Sequence, residues 1–358
     1  KVINECYKSG LLDLKYFLVQ KKPFNTRDKF LKMKNFNNIN LIKNTCALSF
    51  EINNNKIKWL NVYDIEKKLN KIILADIFIL CAGAIETPRI ILQSNYKKIS
   101  NKYNYVGKGI NDHYKGVLGH IKIDHKVSVI DLPLNKKINA RVGFISKNQD
   151  VGNFCLIFRI KYLESYNKII RSLKILIAKK NIRNFYNLLK NINVYGLFSL
   201  LQRVIWNKVK SNLINVEIWL ETKTRIKNCV ILSNKKDTFG RYIPKIKFEF
   251  SNYEKKQIQE SQIILKNIFN KGIKRFTPLR YNKKNFSSGA HYTNTCRIGE
   301  DFKNSVVDKN LKVHKIDNLF ICDNSVLNYT GNSNPTFSLI NLSFRLSDYL
   351  KKKFKINY

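Results

Sequence analysis

The stretch that decides the fold is ADIFILCAGAIETPRIILQS, residues 75–94. Its first half, Asp76–Cys81, is a short apolar run typical of a buried strand. The small residues Ala82–Ala84 follow it, and a helical pattern begins after them. Proline is tolerated in the first turn of a helix, where its missing N–H has no helical acceptor, and we place Pro88 there. The stretch therefore predicts a buried strand that turns tightly into a helix.

The chain before this stretch changes from irregular to strand-like. Residues 1–36 are polar and irregular, with Pro23 as a breaker. From Ile39 to Asp64, apolar residues alternate in the runs NLIKNTCALSFEI and KIKWLNVYD, which the Asn53–Asn55 turn separates. These runs predict a meander of strands.

The chain after it alternates between strands and helices as far as residue 286. Strand patterns occur at GVLGHIKID, ARVGFIS and FCLIFRIKY, and again at NVEIWLET, NCVILSN and PKIKFEF. Helical periodicity predicts helices at Leu163–Leu189, Val194–Val209 and Tyr253–Asn270. The last part predicts a strand at Asn318–Cys322 and a closing helix at Asn334–Lys353. Asn334 suits the N-cap of that helix, and proline suits its first position.

The charge of the chain is large but points weakly to nucleic acid. Its 66 basic and 25 acidic residues give a formal charge of +41. Of the basic residues, 53 are lysine and 13 arginine, whereas nucleic-acid binders favour the planar guanidinium of arginine. The lysines are dispersed and rise together with asparagine and isoleucine, which share A- and T-rich codons. We therefore expect no nucleic-acid partner.

Composition favours a folded protein without a metal or disulfide framework. Hydrophobic residues make up 44% of the 358 residues, which is enough for a core. The longest apolar run, Ile72–Ile85, is shorter than the ~20 residues that span a membrane. The seven cysteines form no Cys-x-x-Cys pair, and no two of the five histidines have helical metal-binding spacing.

Four sequence blocks give the first indication of chemistry. His291 lies in the small-residue loop SSGAHYTNTCRIG, and the blocks in chain order are ADIFILCAGAIETPRIILQS, VGKGINDH, GAHYTNTCRIGEDFKNSVVDKNLKVHKIDNLFICDNSV and GNSNPTFSLINLSFRLSDYL. Together they resemble the C-terminal half of the glucose–methanol–choline (GMC) flavoprotein oxidoreductases. The resemblance covers about Asn38 to Leu350 and is weakest between Gly116 and Asn215. Four blocks in the family's order are a specific signal.

The resemblance implies oxidation of an alcohol or sugar hydroxyl by hydride transfer to N5 of FAD. His291 matches the family's catalytic histidine, whose imidazole takes the hydroxyl proton. Asn334 matches the second active-site position, where its amide can donate to the developing alkoxide. Without the resemblance, His291 is an ordinary loop histidine and Asn334 a plain helix cap, and for Asn334 both roles can coexist.

The resemblance also implies a set of flavin contacts. Asp323 and Asn324 match the family residues whose main chain and carboxylate meet the ribityl and pyrophosphate part of FAD. The start of the closing helix, at Asn334, Pro335 and Thr336, faces the isoalloxazine. Ala82 and Gly83 match the strand-end turn under the cofactor. Cys46 matches the position whose backbone contacts adenine. Each of these residues can also be a plain turn or core residue.

The sequence departs from the family pattern in two ways. Asn294 replaces the glycine that follows the catalytic histidine, so it needs a left-handed conformation or a shifted loop. In addition, no Gly-x-Gly-x-x-Gly dinucleotide-binding segment is present, because the lone Gly107/Gly109 pair is followed by Asp112 and lies after the second signature. We therefore expect a chain truncated at its N-terminus, and we hypothesise that it binds FAD weakly or not at all by itself.

The expected architecture is α/β, of the mixed α+β kind. A discontinuous FAD-binding domain comprises residues 1–111 and 287–358, and an inserted antiparallel-sheet substrate domain comprises 112–286. The expected partners are a small-molecule alcohol or sugar and an electron acceptor that the sequence does not identify. The alternative is a non-catalytic fragment or a flavoprotein dehydrogenase subunit that docks on a membrane surface through residues 163–210, which carry ten basic residues and one acid. Localisation is accordingly cytoplasmic or peripheral to a membrane.

Overall fold

The structure is a computed structural model, which describes most of the 358 residues. The described ranges are 2–20, 38–94, 105–127, 132–133, 138–146, 153–160, 163–178, 181–206, 209–270, 275–282 and 285–355. The predicted breaker Pro23 lies outside them. Within these ranges no helix is both long and apolar enough to cross a membrane.

The chain contains strands and helices in alternation. The strands are β1 (Leu12–Gln20), β2 (Thr45–Asn53), β3 (Lys56–Asp64), β4 (Leu69–Ile73), β5 (Phe78–Leu80), β6 (His113–Val127), β7 (Leu132–Pro133), β8 (Ile138–Ser146), β9 (Phe154–Ile160), β10 (Ser211–Glu221), β11 (Cys229–Lys236), β12 (Tyr242–Lys247), β13 (Arg275–Pro278), β14 (Phe286–Ser288) and β15 (Leu319–Ile321). The helices are α1 (Val2–Lys8), α2 (Gly83–Gln93), α3 (Leu163–Ala178), α4 (Ile182–Asn191), α5 (Val194–Trp206), α6 (Asn252–Ile268) and α7 (Thr336–Phe354), and a short 3-10 helix spans Asn324–Val326.

The chain divides into two compact units, each built from three segments. Unit 1 comprises Lys1–Asn25, Lys115–Leu220 and Lys255–Ser287, and unit 2 comprises Thr26–Tyr114, Glu221–Glu254 and Ser288–Tyr358. The breaks near residues 114 and 287 lie close to the expected domain boundaries. The units place residues 1–25 and 221–254 differently from the expected domains, since 1–25 falls in unit 1 and 221–254 in unit 2.

Unit 1 is organised around a largely antiparallel sheet in the order β1-β8-β9-β10-β6-β13. Alternate residues of β10, from Ile214 to Leu220, are buried on one face. On the other face Glu217 accepts a hydrogen bond from Nε of Arg159 at 2.8 Å. Residues 1–36 were expected to be irregular, and this is wrong for the described part, because β1 pairs with β8 over nine residue pairs. That partner lies more than a hundred residues away, so local composition could not indicate it.

The helices of unit 1 are shorter than the sequence predicts. The expected helix Leu163–Leu189 is two helices, α3 and α4. The break comes at Asn181, whose extended backbone (φ −134°, ψ 157°) leaves the helix and whose side chain accepts from the backbone N–H of Asn184. Asparagine is a strong N-cap, so it begins a new helix here. The next predicted helix, Val194–Val209, is described as α5 as far as Trp206, and positions 207 and 208 lie outside the described residues.

Unit 2 contains the predicted meander and the predicted strand–turn–helix. Strands β2, β3 and β4 form an antiparallel sheet, and the β2–β3 turn places Asn54 and Asn55 at positive φ, as a two-residue type I′ hairpin requires. Strands β5 and β15 pair in parallel. The core of this unit includes Phe50, Phe78 and Phe320.

Helix α2 carries an interior proline that the sequence placed wrongly. Pro88 is the sixth residue of α2 and not part of its first turn. A proline there has no N–H for the carbonyl of Ala84, four residues earlier. The hydroxyl of Thr295 donates to that carbonyl at 2.8 Å instead. A residue from a distant segment therefore makes the proline tolerable.

Candidate functional site

The turns after β5 and β15 come together at one end of the parallel pair. Leu80 and Ile321 are register partners, so Ala82 and Gly83 after one strand lie beside the residues that follow the other. In open α/β sheets, ligands bind outside the carboxyl ends of parallel strands. The local sequence thus places the two expected flavin-side turns at the edge where such a ligand binds.

Asp323 ties these two turns to each other. Its buried carboxylate accepts hydrogen bonds from the backbone N–H of Gly83 at 2.9 Å, the hydroxyl of Thr87 at 2.5 Å and the backbone N–H of Ser325 at 2.8 Å. The Asp323 side chain thus bonds within the protein and fixes the two turns relative to each other. The role expected for it towards a flavin stays a prediction.

A second part of the site is formed by two segments that run antiparallel to each other. Residues 106–113 lie along residues 289–295, and their backbones exchange hydrogen bonds at both ends. The N–H of Gly107 donates to the carbonyl of Thr295 at 2.7 Å, and the N–H of Gly289 donates to the carbonyl of His113 at 3.0 Å. Asn294 adopts the left-handed conformation (φ 71°) expected for it, and its amide donates to the carbonyl of Gly109.

This pairing places two histidines in contact. Nδ1 of His291 lies 2.8 Å from Nε2 of His113, which is 1% exposed. Asp112 holds the same loop, because its Oδ1 accepts from the backbone N–H of His291 at 3.1 Å and its Oδ2 accepts from the hydroxyl of Ser288. Asp112 thereby holds the backbone of His291, and His113 contacts its ring.

Asp112 is a buried carboxyl in this arrangement. Burial raises its pKa above the ordinary value of 3.8, and the hydrogen bonds from Ser288 and from the backbone of His291 oppose the rise in part. Burial also raises the pKa of the Tyr114 phenol, to which the Asp112 charge adds. The histidine pair therefore lies against a carboxyl whose charged form is costly.

The start of α7 is open. The residue before its first turn is Pro335, and no side chain caps the helix, so the expected N-cap role of Asn334 is wrong. Asn334 is exposed and precedes the helix by two residues, because the helix begins at Thr336. The first backbone N–H groups of a 19-residue helix are therefore not occupied by a capping side chain, which suits an anionic or electron-rich ligand.

Cys46 lies in the meander, where it is opposite Tyr63 in the β2–β3 ladder. Its thiol makes only a weak contact to the carbonyl of Ala47, at 3.8 Å. Burial raises the pKa of the Cys46 thiol, and the nearby guanidinium of Arg241 opposes the rise. The expected backbone contact of Cys46 with adenine stays a prediction.

The residues near these segments fit a polar ligand. A cavity of about 300 Å³ in unit 2 is lined by Asn294, Asn328 and Arg297 among others. The buried side-chain oxygens of Asn294, Asn324 and Asn328 accept no hydrogen bond from any residue that the structure describes. Buried acceptors without donors are costly, and the hydroxyl groups of a ribityl chain are donors of the kind they lack. In this respect the residues fit FAD.

The sequence did not identify several residues of the site. Asp112 and His113 belong to the block VGKGINDH, which was recognised as a whole without either residue being assigned to the site. Thr87 and Ser288 were not singled out. The adjacent acid and histidine were the available signal, but only the pairing of residues 106–113 with 289–295 shows that they reach His291.

Comparisons with known proteins agree with the expected family. The C-terminal family model described as GMC oxidoreductase matches residues 225–343. The large subunit of fructose dehydrogenase from Gluconobacter japonicus is 23% identical over 335 residues, which are 88% of this chain and 54% of that protein. The 2-methyl-1,2-propanediol dehydrogenase of Mycolicibacterium austroafricanum is 36% identical over 66 residues, 18% of this chain and 12% of that protein.

Solved structures show the same fold. Pyridoxine 4-oxidase from Mesorbium loti superposes with a TM-score of 0.55 at 13% identity, covering 91% of this chain and 60% of that one. The formate oxidase of Aspergillus oryzae RIB40, studied for its FAD modification, gives 0.56 at 18% identity, covering 91% and 63%. The chain spans about half the length of the fructose dehydrogenase subunit, at 54%, and less than two thirds of these two structures.

Proposed function

Because residues 225–343 match the C-terminal family model of the GMC oxidoreductases, we propose that this chain acts as an FAD-dependent oxidoreductase on CH–OH groups. The single observation that carries the proposal is the contact of His291 with His113, with Asp112 fixing the same loop. A histidine held in this way is oriented for proton transfer, which is the task of a base in alcohol oxidation.

We propose that FAD binds at the strand-end crevice and the start of α7. The residues that would hold it are Ala82 and Gly83 on one turn, Asp323 and Asn324 on the other, and Asn334, Pro335 and Thr336 before and at the helix, with Cys46 on β2. FAD, when bound, supplies the acceptor for the hydride. The uncapped helix start and the unpaired oxygen of Asn324 support this placement.

His291 takes the hydroxyl proton in the proposed reaction. For Nε2 of His291 to accept a proton, its Nδ1 must carry the ring hydrogen and donate it to Nε2 of His113, 2.8 Å away. The C–H hydrogen leaves as a hydride and the O–H hydrogen goes to His291, so the alcohol loses two electrons and becomes a carbonyl compound. The amide of Asn334 stabilises the alkoxide that develops as the proton leaves.

The proposed substrate is a small alcohol or a sugar. The relatives named above include dehydrogenases of fructose and of a diol, which supports this class. The electron acceptor is not assigned.

Peripheral contact with a membrane through residues 163–210 is a further part of the proposal. The protein is then cytoplasmic or bound at a membrane surface.

Replacing the base tests the proposal. In a full-length version of the protein that binds FAD, we expect His291→Ala to retain FAD but to slow reduction of the flavin by an alcohol by about 10²–10⁴-fold, the usual contribution of a positioned base. The matched control is His314→Gln, since His314 lies in the same unit but contacts Ser305 and Gly299. The measurement is anaerobic loss of flavin absorbance over a panel of alcohols and sugars.

The alternative is a non-catalytic fragment, and the same experiment separates the two. If the parent protein retains no FAD, or if no alcohol in the panel reduces the bound flavin, the alternative is favoured. If the flavin is reduced equally fast in the parent and in His291→Ala, the proposed oxidoreductase activity is supported but the proposed role of His291 is wrong.

A further inference from the structure

Helices α4 and α5 of unit 1 each expose several large apolar side chains to solvent. Ile182 is 87% exposed and Val204 is 81% exposed, and no residue of α4 is buried. We call this surface the apolar face, which consists of Ile182, Phe185, Tyr186, Leu189, Val194, Tyr195, Leu197, Phe198, Leu201, Val204, Ile205 and Trp206. Soluble proteins rarely expose so many large apolar side chains on two successive helices, and exposed apolar surface of this kind marks interaction sites.

Helix α5 has its polarity reversed. Its buried residues are Gly196, Ser199 and Gln202, and its large apolar side chains point outwards. The buried side is specifically packed, because a Cβ on Gly196 would collide with Ile169 of α3. The amide oxygen of Gln202 also accepts from the backbone N–H of Lys210 at 2.7 Å. The small and polar side of α5 is therefore the side that packs against the protein. The exposure of its apolar side does not result from loose packing.

The same region is strongly basic. Residues 163–210 carry ten lysines and arginines, and there is no acidic residue from Ser165 to Val216. On the two helices themselves the cations are Arg183, Lys190 and Arg203, each of them exposed. An apolar face flanked by cations without acids is the pattern of a helix that lies in the plane of a membrane interface.

We propose that the apolar face docks this protein onto the surface of an anionic lipid bilayer. Tyr186, Tyr195 and Trp206 are amphipathic rings of the kind that favour the headgroup level. A second copy of the chain fits this face poorly, since a two-fold contact would bring cations against cations with no acid between them. An anionic headgroup layer supplies the missing negative charge.

The docking surface is only part of residues 163–210. Ile169 of α3 is 4% exposed and packs towards Gly196, so it does not belong to that surface. The part that meets the bilayer is α4 and α5, buried about 5–10 Å into the boundary between headgroups and acyl chains. This inference is independent of the proposed oxidation, because vesicle binding is measured without turnover.

Co-sedimentation with vesicles tests the proposal. The probes are vesicles of phosphatidylcholine alone and vesicles of phosphatidylcholine and phosphatidylserine in equal parts. We expect clear binding to the second kind and weak binding to the first. Leu201→Glu removes an apolar contact and adds an acid, so it should weaken binding to the mixed vesicles by at least about tenfold. Arg183→Gln or Lys190→Gln should each weaken it about fivefold and leave binding to phosphatidylcholine unchanged.

Matched controls are available on β1 of the same unit. Leu18 is 71% exposed and Lys15 is also exposed, so Leu18→Ser and Lys15→Gln should leave vesicle binding unchanged. Quenching of Trp206 fluorescence by brominated lipid, absent in Trp206→Phe, should report insertion. His291→Ala should bind vesicles like the parent.

Three results would overturn the proposal. These are sedimentation that does not depend on phosphatidylserine, loss of binding in the β1 variants equal to that in Leu201→Glu, and failure of the parent to bind either vesicle. A concentration-dependent dimer in analytical ultracentrifugation that Leu201→Glu abolishes would assign the face to a second copy instead.

Discussion

Nε2 of His113 lies 2.8 Å from Nδ1 of His291, which is hydrogen-bond distance. One of these two nitrogens must therefore carry the hydrogen and donate it to the other. If His113 provides it, His291 carries its own hydrogen on Nε2 and cannot accept a proton there. If His291 provides it, its Nε2 carries no hydrogen and can act as a base. Because His113 is buried, the acceptor it offers is fixed in position, and His113 is thus a positioning residue for His291.

Replacing His113 should therefore affect catalysis more than folding. We expect His113→Phe to lower kcat by about tenfold to a hundredfold, as loss of an orienting partner does elsewhere, with little change in KM. His113→Gln offers an amide oxygen as acceptor and should recover part of the loss. The measurement is kcat and KM of the FAD-loaded protein, with unfolding followed by circular dichroism. Equal kcat in His113→Phe and the parent would show that His113 does not orient the base.

The contact of the two histidines also depends on Gly289. A Cβ at Gly289 would clash with the His113 ring and would lie 2.5 Å from the His113 carbonyl oxygen, so any side chain must displace both the ring and the backbone. We expect Gly289→Ala to lower kcat about as much as His113→Phe does. In a His113→Ala background the ring clash is gone but the clash with the backbone carbonyl remains, so Gly289→Ala should cost less further activity there than it does in the parent. Additive losses in the double variant would mean that Gly289 acts on the site by another route.

Local patterns in the sequence sufficed for elements whose partners are near in the chain. The strand β5 and helix α2 follow from one apolar run and the small residues after it, and the hairpin at Asn54 and Asn55 follows from turn chemistry. Family resemblance supplied His291 as the base, and its role stays a prediction because no observation tests it.

Distant partners were beyond the reach of these patterns. His113 and His291 are 178 residues apart, and nothing in either segment alone indicates the pairing. The reversed polarity of α5 has a similar origin, since periodicity places an apolar stripe without saying which side packs against the protein. In that helix Gly196 lies against the side chain of Ile169, so the small side of α5 is the one that packs.

Thr295 compensates for Pro88, and removing its hydroxyl should destabilise the fold. Its Oγ1 is the donor to the Ala84 carbonyl, and Thr295 is fully buried. Thr295→Val keeps the volume but leaves the carbonyl without that donor, at a cost of about 1–3 kcal/mol. Pro88→Ala restores an N–H to the helix, so Thr295→Val should cost less in that background. Urea unfolding of the four proteins measures the coupling, and a coupling of zero would contradict the compensation.

A cluster of charges joins α2 to the β11–β12 hairpin. Arg89 is 4% exposed and contacts Glu86 at 3.1 Å and Asp237 at 2.8 Å, and Nε of Arg241 donates to Asp237 at 3.0 Å. Although burial raises the pKa of Asp237, the backbone N–H groups of Arg241 and Phe239 and the two guanidiniums outweigh it and bring the pKa to about 2. The charged carboxylate is therefore the form that the folded protein favours.

The cluster predicts an acid-sensitive contribution to stability. The pKa of Asp237 is lowered from 3.8, so its contribution is complete above about pH 4 and is lost as the pH falls towards 2. A shift of this size corresponds to on the order of 2 kcal/mol. Asp237→Asn should lose that free energy of unfolding at pH 7 and show a shallower decline between pH 4 and 2. Asp317→Asn is the matched control, because the Asp317 side chain is 71% exposed and its lysine partner is 4.0 Å away. The comparison is the urea midpoint across the acid range, and identical acid slopes in Asp237→Asn and the parent would show that the carboxylate does not anchor the hairpin.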